Sequence, residues 1–187
     1  MELVLEVPSI KRKVEAIEYI KEFYEYNSQI NGTGGLNKHL DNYEGWLKKL
    51  EEEYKRIPNE ESVPRRTFFL IRKSDNKIIG MINIRLVLNE KLRSFGGNIG
   101  YSIRPTERRK GYAKIILYLG LKKCKEYDIK EVIVGCFKDN IASAKTIQAL
   151  GGVLEREFFY EQESKITQHY TIKVNESIEK YKEIYEK

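Results

Sequence analysis

Hydrophobic residues recur at helical spacing in two segments near the N-terminus. Segment 10–26 has apolar residues three or four positions apart, at Val14, Ile17, Ile20 (or Phe23) and Tyr24. Segment 43–56 has a second stripe of this kind, at Trp46, Leu47, Leu50 and Tyr54. Such spacing places side chains on one helix face, so we predict two amphipathic helices. The run NGTGGLN between them predicts a flexible loop, and ELVLEVP before them predicts a short strand.

The middle and the end of the chain carry strand patterns. RTFFLIRK and KIIGMINIRLVL, joined by the turn SDN, predict a hairpin, and VLEREFFYE with KITQHYTIKV predicts a second one. NEKLRSFGG predicts a loop, and NIGYSIRP predicts a further strand. The nearly continuous apolar run KEVIVGCF is typical of a central strand covered on both faces.

Three more helices are predicted in the second half of the chain. The helix after Gly111 has a core-facing stripe at Ile116, Leu117, Gly120, Leu121 and Cys124. Asn140 can cap a short helix that Gly151 and Gly152 end. A polar C-terminal helix over 175–187 would turn Ile178, Tyr181 and Tyr185 inward.

The composition is that of one globular domain spanning residues 1–187, with 41% apolar and 33% charged residues. No apolar run approaches the ~20 residues that span a bilayer, and the N-terminus lacks the pattern of a signal peptide. We expect reduced Cys124 and Cys136 and a cytoplasmic protein without membrane contact. No Cys or His pair has the spacing of zinc ligands, so we expect no metal.

Basic residues concentrate at one helix start. The net charge is +6, and five bases in segment 104–114, less one acid, leave +4 there: Arg104, Arg108, Arg109, Lys110 and Lys114 against Glu107. The pattern R-x-x-G-x-A precedes the helix, where backbone N–H groups form a natural anion site. A solvated basic surface is the alternative, but the cluster favours a small phosphorylated ligand over a nucleic acid, whose footprint is broader.

The segments GYSIRPTERRKGYA and CFKDNIASAKTIQALGG together resemble the GNAT (Gcn5-related N-acetyltransferase) family. The resemblance implies an α/β (mixed α+β) fold, with a mostly antiparallel sheet flanked by helices and acetyl-CoA bound where two strands splay apart. The acetyl-CoA-binding core would span about 66–174, with an acceptor-side helical segment at about 10–57. The expected activity is transfer of the acetyl group to an amine by direct attack in a ternary complex.

The resemblance also assigns residues to the cofactor. The backbone of Tyr101, Ile103 and Arg104 would face the pantetheine and the acetyl group. The diphosphate would be held by backbone amides, with nearby cations, in the segment Arg108, Arg109, Lys110, Gly111, Tyr112 and Ala113. Asn140, Ser143 and Lys145 would lie along the other side of the cofactor.

One departure from the family leaves the catalytic acid and base unassigned. Many members carry a tyrosine seven residues after the motif asparagine, where this chain has Ile147. Together with Gly151-Gly152 and the pattern N-x-x-S, this is typical of the ribosomal-protein-acetylating branch. The weak candidates for proton transfer are Asn98, Glu157, Tyr160, His169 and Tyr170.

The acceptor site should lie beside the two N-terminal helices and the loops NGTGG and NEKLRSFGG. Asn83 and Arg85 alternate onto one strand face and could point into it, and Arg85 would suit a carboxylate or phosphate on the acceptor. We expect a small-molecule or peptide amine, and a monomer or homodimer. Two alternatives remain: a basic nucleic-acid- or ribosome-binding module, and an acyl-CoA-binding sensor without turnover.

Overall fold

The computed structural model describes residues 2–186. Residues 2–186 form seven strands and six α-helices, and short 3-10 turns lie between some of them. In chain order the elements are β1 (Leu3–Glu6), α1 (Lys13–Glu25), α2 (Tyr43–Tyr54), β2 (Arg65–Arg72), β3 (Lys77–Arg85), α3 (Glu90–Phe95), β4 (Ile99–Ile103), α4 (Tyr112–Glu126), β5 (Glu131–Phe137), α5 (Ile141–Gln148), β6 (Val153–Tyr160), β7 (Lys165–Lys173) and α6 (Val174–Tyr185).

The strands form two antiparallel sheets. The first has the order β1-β2-β3-β4, and the second has the order β5-β7-β6. Both predicted hairpins are present, since β2 pairs with β3 and β6 pairs with β7. Strand β4 begins beside β5, but the two strands belong to different sheets. The result is an α/β fold with mostly antiparallel strands flanked by helices, as predicted.

Two hydrophobic cores hold the helices to the sheets. Helices α1 and α2 pack on one face of the first sheet, where Trp46 and Phe69 stack with ring centroids 6.1 Å apart. Helices α4 and α6 belong to the core on the other face, which joins the first sheet to the second. The two free cysteines, Cys124 and Cys136, are buried and unpaired. None of the helices in residues 2–186 is long and apolar enough to cross a membrane.

The predicted face of α1 was wrong by part of a turn. The buried stripe is Ala16, Tyr19, Ile20 and Phe23, whereas the side chain of Val14 is 72% exposed. Both stripes have helical spacing. The buried stripe keeps Ile20 and Phe23 of the predicted one, and it is set by Tyr19, whose hydroxyl donates to the backbone carbonyl of Ser102 at 3.0 Å.

Predictions for two loops and one strand also need correction. The segment NEKLRSFGG contains helix α3, capped by the Asn89 side chain. Strand β5 lies at the edge of its sheet and alternates between buried and accessible residues, so it is not covered on both faces. The loop NGTGG is packed tightly: a Cβ on Gly32 would lie 2.4 Å from the carbonyl oxygen of Gly100.

Candidate active site at the fork between strands β4 and β5

Asn98 joins β4 to β5 by hydrogen bonds at the point where the two strands diverge. Its backbone N–H donates to the carbonyl of Ile133 at 2.7 Å, and its side-chain oxygen accepts from the N–H of Ile133 at 2.9 Å. Its side-chain nitrogen donates to the carbonyl of Arg85 at 3.2 Å. The side chain of Asn98 is therefore committed to holding the fork, which corrects its prediction as a proton-transfer group.

Beyond this point β4 has one open edge. The backbone N–H of Arg104 donates to Ile79, and Asn98 accepts from Arg85, so the even-numbered residues of β4 pair with β3. Antiparallel pairing alternates. The backbone groups of Tyr101 and Ile103 therefore face away from β3, toward the gap that separates β4 from β5.

The prediction that Arg104 faces the cofactor was wrong. Its N–H is paired with β3, and its guanidinium donates to the carbonyl of Ile78 at 2.9 Å and to Glu22 at 3.1 Å. The side chain is buried, with 7% of the residue exposed. Arg104 thus helps to attach α1 to the sheet, outside the cleft.

The turn before α4 lies at one end of a cleft of about 510 Å³ that the open edge of β4 also lines. Gly111 is the N-cap, with φ of +85°, and no side chain caps the helix. An added Cβ on Gly111 would have no neighbouring heavy atom within 4 Å. Because the first turn of α4 carries no acidic residue, its backbone N–H groups and dipole can receive an anion at this position.

The basic cluster divides into two groups. Two of its members are paired with carboxylates: Lys110 with Glu107 at 2.9 Å, and Arg104 with Glu22 at 3.1 Å. Arg109 and Lys114 also line the cleft, and within residues 2–186 neither is paired with a carboxylate. Arg108 lines it too; its guanidinium donates to the carbonyl of Ile103 at 3.1 Å and the hydroxyl of Ser28 at 2.6 Å. Three cations therefore face the cleft, fewer than the sequence suggested.

Glu107 organises the base of this turn. It accepts from Arg72 at 2.9 Å and from Lys77 at 3.1 Å, in addition to Lys110. These contacts, that with Arg72 above all, lower the pKa of Glu107 to about 2. The aromatic side chain of Tyr112 is anchored in the same place, since its hydroxyl accepts from Arg72 at 3.1 Å.

Helix α5 supplies the opposite wall of the cleft. The Asn140 side chain caps α5 by accepting from the N–H of Ser143 at 3.1 Å, and both residues line the cleft. Lys145 is exposed and does not line it. Ile147, where many GNAT proteins carry a tyrosine, is fully buried in the core.

A hydroxyl pair spans the fork, and sequence reasoning missed it. The hydroxyl of Tyr101 lies 3.4 Å from the hydroxyl of Ser143. Burial raises the pKa of Tyr101 to about 12. The sequence indicates a role only for the backbone of Tyr101, because nothing local to residue 101 shows that α5 approaches it.

A second cavity of about 480 Å³ adjoins the cleft on the side of the NGTGG loop. Both are lined by Asn31, Tyr101, Asn140 and Ser143, so the two spaces meet at the hydroxyl pair. Asn83 and Arg85 line this second cavity, together with Tyr160 from the last hairpin. The structure thus brings together the predicted acceptor-site residues and the open edge of β4.

The other hairpin candidates for proton transfer lie elsewhere. The hydroxyl of Tyr170 is buried and donates to Gln168 at 2.8 Å, and Glu157 pairs with Lys138 at 2.8 Å. Burial and Arg156 lower the pKa of His169 to about 4. None of these three candidates lines either cavity. Tyr160 lines the second cavity, with its hydroxyl donating to Gln162 at 2.5 Å.

The profile of the acetyltransferase (GNAT) family matches residues 23–151, more than half of the 187 residues. The chain belongs to the acetyltransferase (GNAT) family. Its predicted family membership is therefore confirmed. Comparison with curated protein sequences found no significant match.

Solved structures of other family members share the fold. A ribosomal-protein-S5-alanine acetyltransferase from Vibrio fischeri is 15% identical, with 94% of each chain covered and a TM-score of 0.69. A spermidine/spermine N-acetyltransferase from Vibrio cholerae is 14% identical, with 96% of this chain and 99% of that chain covered and a TM-score of 0.64. The microcin C7 self-immunity acetyltransferase, in complex with acetyl-CoA and AMP, is 16% identical, with 92% of each chain covered and a TM-score of 0.65. At these identities the likeness shows the fold alone.

Proposed function

We propose that this protein transfers the acetyl group of acetyl-CoA to an amine. The observation that carries the proposal is the open edge of β4 beside an uncapped helix N-terminus, in a cleft that carries three cations. A neighbour of the same fold is a complex with acetyl-CoA. The amine acceptor, the cytoplasmic location and the monomeric or homodimeric state remain predictions.

The residues at the start of α4 fit a diphosphate. Gly111 presents backbone without a Cβ, so an anion can approach the N–H groups of the turn closely. Arg109 and Lys114 can form charge-assisted hydrogen bonds from the rim. CoA carries about four negative charges, of which its 3′-phosphate supplies about two near neutral pH. The cleft cations match most of that charge.

The open edge of β4 suits the acyl end. When bound, acetyl-CoA supplies a thioester that a neutral amine can attack directly, so no enzyme nucleophile is needed. The backbone N–H of Tyr101 or Ile103 can donate to the carbonyl oxygen as charge develops on it. The second cavity holds the amine on the far side of the hydroxyl pair, and this arrangement supplies proximity.

As the C–N bond forms and the C–S bond breaks, the hydroxyls of Tyr101 and Ser143 are the best-placed donors of a proton to the departing thiolate, and the proton that the nitrogen loses passes to solvent. They stand where the two cavities meet, whereas Ile147 offers no proton and lies in the core. A tyrosine with a pKa of about 12 keeps its proton throughout the neutral range. This pair therefore replaces the family tyrosine in our proposal.

The test combines calorimetric titration of acetyl-CoA with a thiol-release assay over a panel of amines, and mass spectrometry of the product. The matched variants are Lys114→Glu, at the cleft, and Lys125→Glu, exposed in the last turn of the same helix. The helix dipole favours acids at the N-terminus and bases at the C-terminus, by about 0.3–1 kcal/mol. Lys114→Glu should therefore stabilise the protein slightly while weakening acetyl-CoA binding. Lys125→Glu should leave the affinity for acetyl-CoA unchanged and should destabilise the protein slightly or not at all.

Absence of acetyl-CoA binding by the parent protein would contradict the proposal. Binding without thiol release by any amine would favour the sensor, for which the loss of the tyrosine at Ile147 is the motivating observation. Equal effects of the two variants on affinity would remove the start of α4 as the phosphate site.

A further inference from the structure

The second cavity contains an arginine without a carboxylate partner. The guanidinium of Arg85 donates to the carbonyl of Gly97 at 2.7 Å, and among residues 2–186 no carboxylate pairs with it. Four other arginines on the first sheet or at its end each lie within 4.0 Å of an acid: Arg65, Arg66, Arg72 and Arg104. Arg85 thus differs from these arginines in having its charge directed into a cavity.

Two further observations concern the groups that line this cavity. Burial, with the charge of Arg65 nearby, lowers the pKa of Arg85, so the surroundings disfavour the cation. Thr167 also lines the cavity; 8% of the residue is exposed, and its buried hydroxyl has no hydrogen-bond partner among residues 2–186. Unpaired buried polar groups are unusual and call for an explanation.

Other polar residues line the same cavity as Arg85. Asn83 lines the same cavity and is 7% exposed, with its side-chain nitrogen donating to Thr67 at 2.9 Å. Glu163 also lines the cavity, from the exposed turn after β6. An anionic ligand in this cavity could accept a charge-assisted hydrogen bond from Arg85, and it would offer an acceptor to the unpartnered hydroxyl of Thr167.

We infer that the acceptor is an amine that also carries an anionic oxygen group, a carboxylate or a phosphate, and that Arg85 and Thr167 bind this group. The inference rests on the proposed acetyl transfer. Asn98 lies opposite Arg85 just before β4 and is three residues before Tyr101, which is roughly 10 Å along a strand. The anionic group and the reacting amine should therefore be several bonds apart.

A polyamine acceptor would fit this cavity poorly. Its second ammonium group would meet the guanidinium of Arg85, and like charges in a partly buried site repel. The spermidine/spermine acetyltransferase of the same fold thus does not predict the acceptor of this chain.

The test uses three amines of equal length that differ at the far end: 6-aminohexanoate, hexylamine and 1,6-diaminohexane. Each is titrated calorimetrically into the protein, with and without saturating CoA, and is then assayed as an acceptor. A charge-assisted hydrogen-bond pair should make 6-aminohexanoate bind roughly 10- to 100-fold more tightly than hexylamine. 6-Aminohexyl phosphate distinguishes the two kinds of anion.

Arg85→Gln should abolish the preference for the anionic amine and leave acetyl-CoA affinity unchanged. Arg66→Gln, on the neighbouring strand, is the matched control and should retain the preference, because Arg66 pairs with Glu51 and lines neither cavity. Thr167→Val, of similar shape, should reduce it several-fold and serves as the second variant if Arg85→Gln fails to fold. Tighter binding of the diamine, or an unchanged preference in Arg85→Gln, would overturn the inference. The titrations without CoA decide it even if acetyl transfer itself is refuted.

Discussion

Effects on stability and effects on acetyl-CoA binding can be separated by comparing substitutions at Gly111 and Gly151. The φ of Gly111 is +85°, and Gly151, after α5, has nearly the same value, +83°. An added Cβ on Gly111 would meet no neighbouring heavy atom within 4 Å, and one on Gly151 would lie 3.9 Å from the ring of Tyr181. Replacing either glycine by alanine therefore introduces the same backbone strain without a steric clash. Of the two, Gly111 lines the cleft.

The expected loss of stability is similar for the two variants. A left-handed conformation costs a residue with a Cβ roughly 1–2 kcal/mol. For a protein of this length, each kcal/mol lowers Tm by about 2–4 °C. Gly111→Ala and Gly151→Ala should each lower Tm by about 2–8 °C, which calorimetric or fluorescence melting would measure.

The effect on binding should differ sharply. A methyl group on Gly111 stands where the diphosphate must approach the N–H groups of the turn. Loss of a hydrogen bond to a charged group costs about 1.5–3 kcal/mol, so acetyl-CoA should bind about 10- to 100-fold more weakly to Gly111→Ala and normally to Gly151→Ala. Equal affinities, measured by calorimetric titration, would refute the assignment of the phosphate site, and a much larger drop in Tm for Gly111→Ala would show that this turn serves the fold instead.

Three further predictions concern the hydroxyl pair, the fork and the base of the turn. Tyr101→Phe should lower kcat at least tenfold with little change in acetyl-CoA affinity, and an unchanged kcat in steady-state assays would exclude its hydroxyl as the proton donor. Asn98→Ala should destabilise the protein by about 2–6 kcal/mol, because it leaves a backbone N–H on Ile133 and a backbone carbonyl on Arg85 without their partner. Denaturant unfolding would measure this loss, and a value under about 1 kcal/mol would contradict the prediction. Ionised Glu107 stabilises the fold above its ordinary pKa of 4.5. The loss of stability in Glu107→Gln should therefore be complete at pH 7 and should shrink as pH falls from 4.5 toward 2. If the melting temperatures of parent and variant differed by the same amount at pH 4.5 and pH 2, the assignment would be contradicted.

The elements that sequence reasoning predicted well have local determinants. Helix α4 follows from the periodicity of its own residues, and the R-x-x-G-x-A turn follows from Gly111 and its immediate neighbours. The face of α1 depended instead on a partner 83 residues away, since the buried hydroxyl of Tyr19 bonds to Ser102. Spacing alone fits either stripe, and nothing local to α1 shows that Tyr19 has a buried partner.

The candidate site shows the same difference between local and long-range determinants. The charge of the basic cluster was overestimated because Glu22, which neutralises Arg104, is 82 residues away in the chain. The hydroxyl pair of Tyr101 and Ser143 bridges 42 residues, and no spacing rule connects them. The sequence alone identified the residues of the cleft wall by their resemblance to a family motif. Which donors remain unpaired there depends on tertiary contacts.

An open strand edge is useful only if its length is limited. Unpaired backbone groups in the interior cost free energy, so a gap between β4 and β5 must end where ligand contacts end. Asn98 closes one end by bonding to both neighbouring strands, and Gly97 permits the approach, since a Cβ there would lie 2.6 Å from the carbonyl oxygen of Ile133. Arg108 closes the other end by donating to the carbonyl of Ile103. Between these two closures lie the N–H groups of Tyr101 and Ile103, which are those that the proposed acetyl transfer requires.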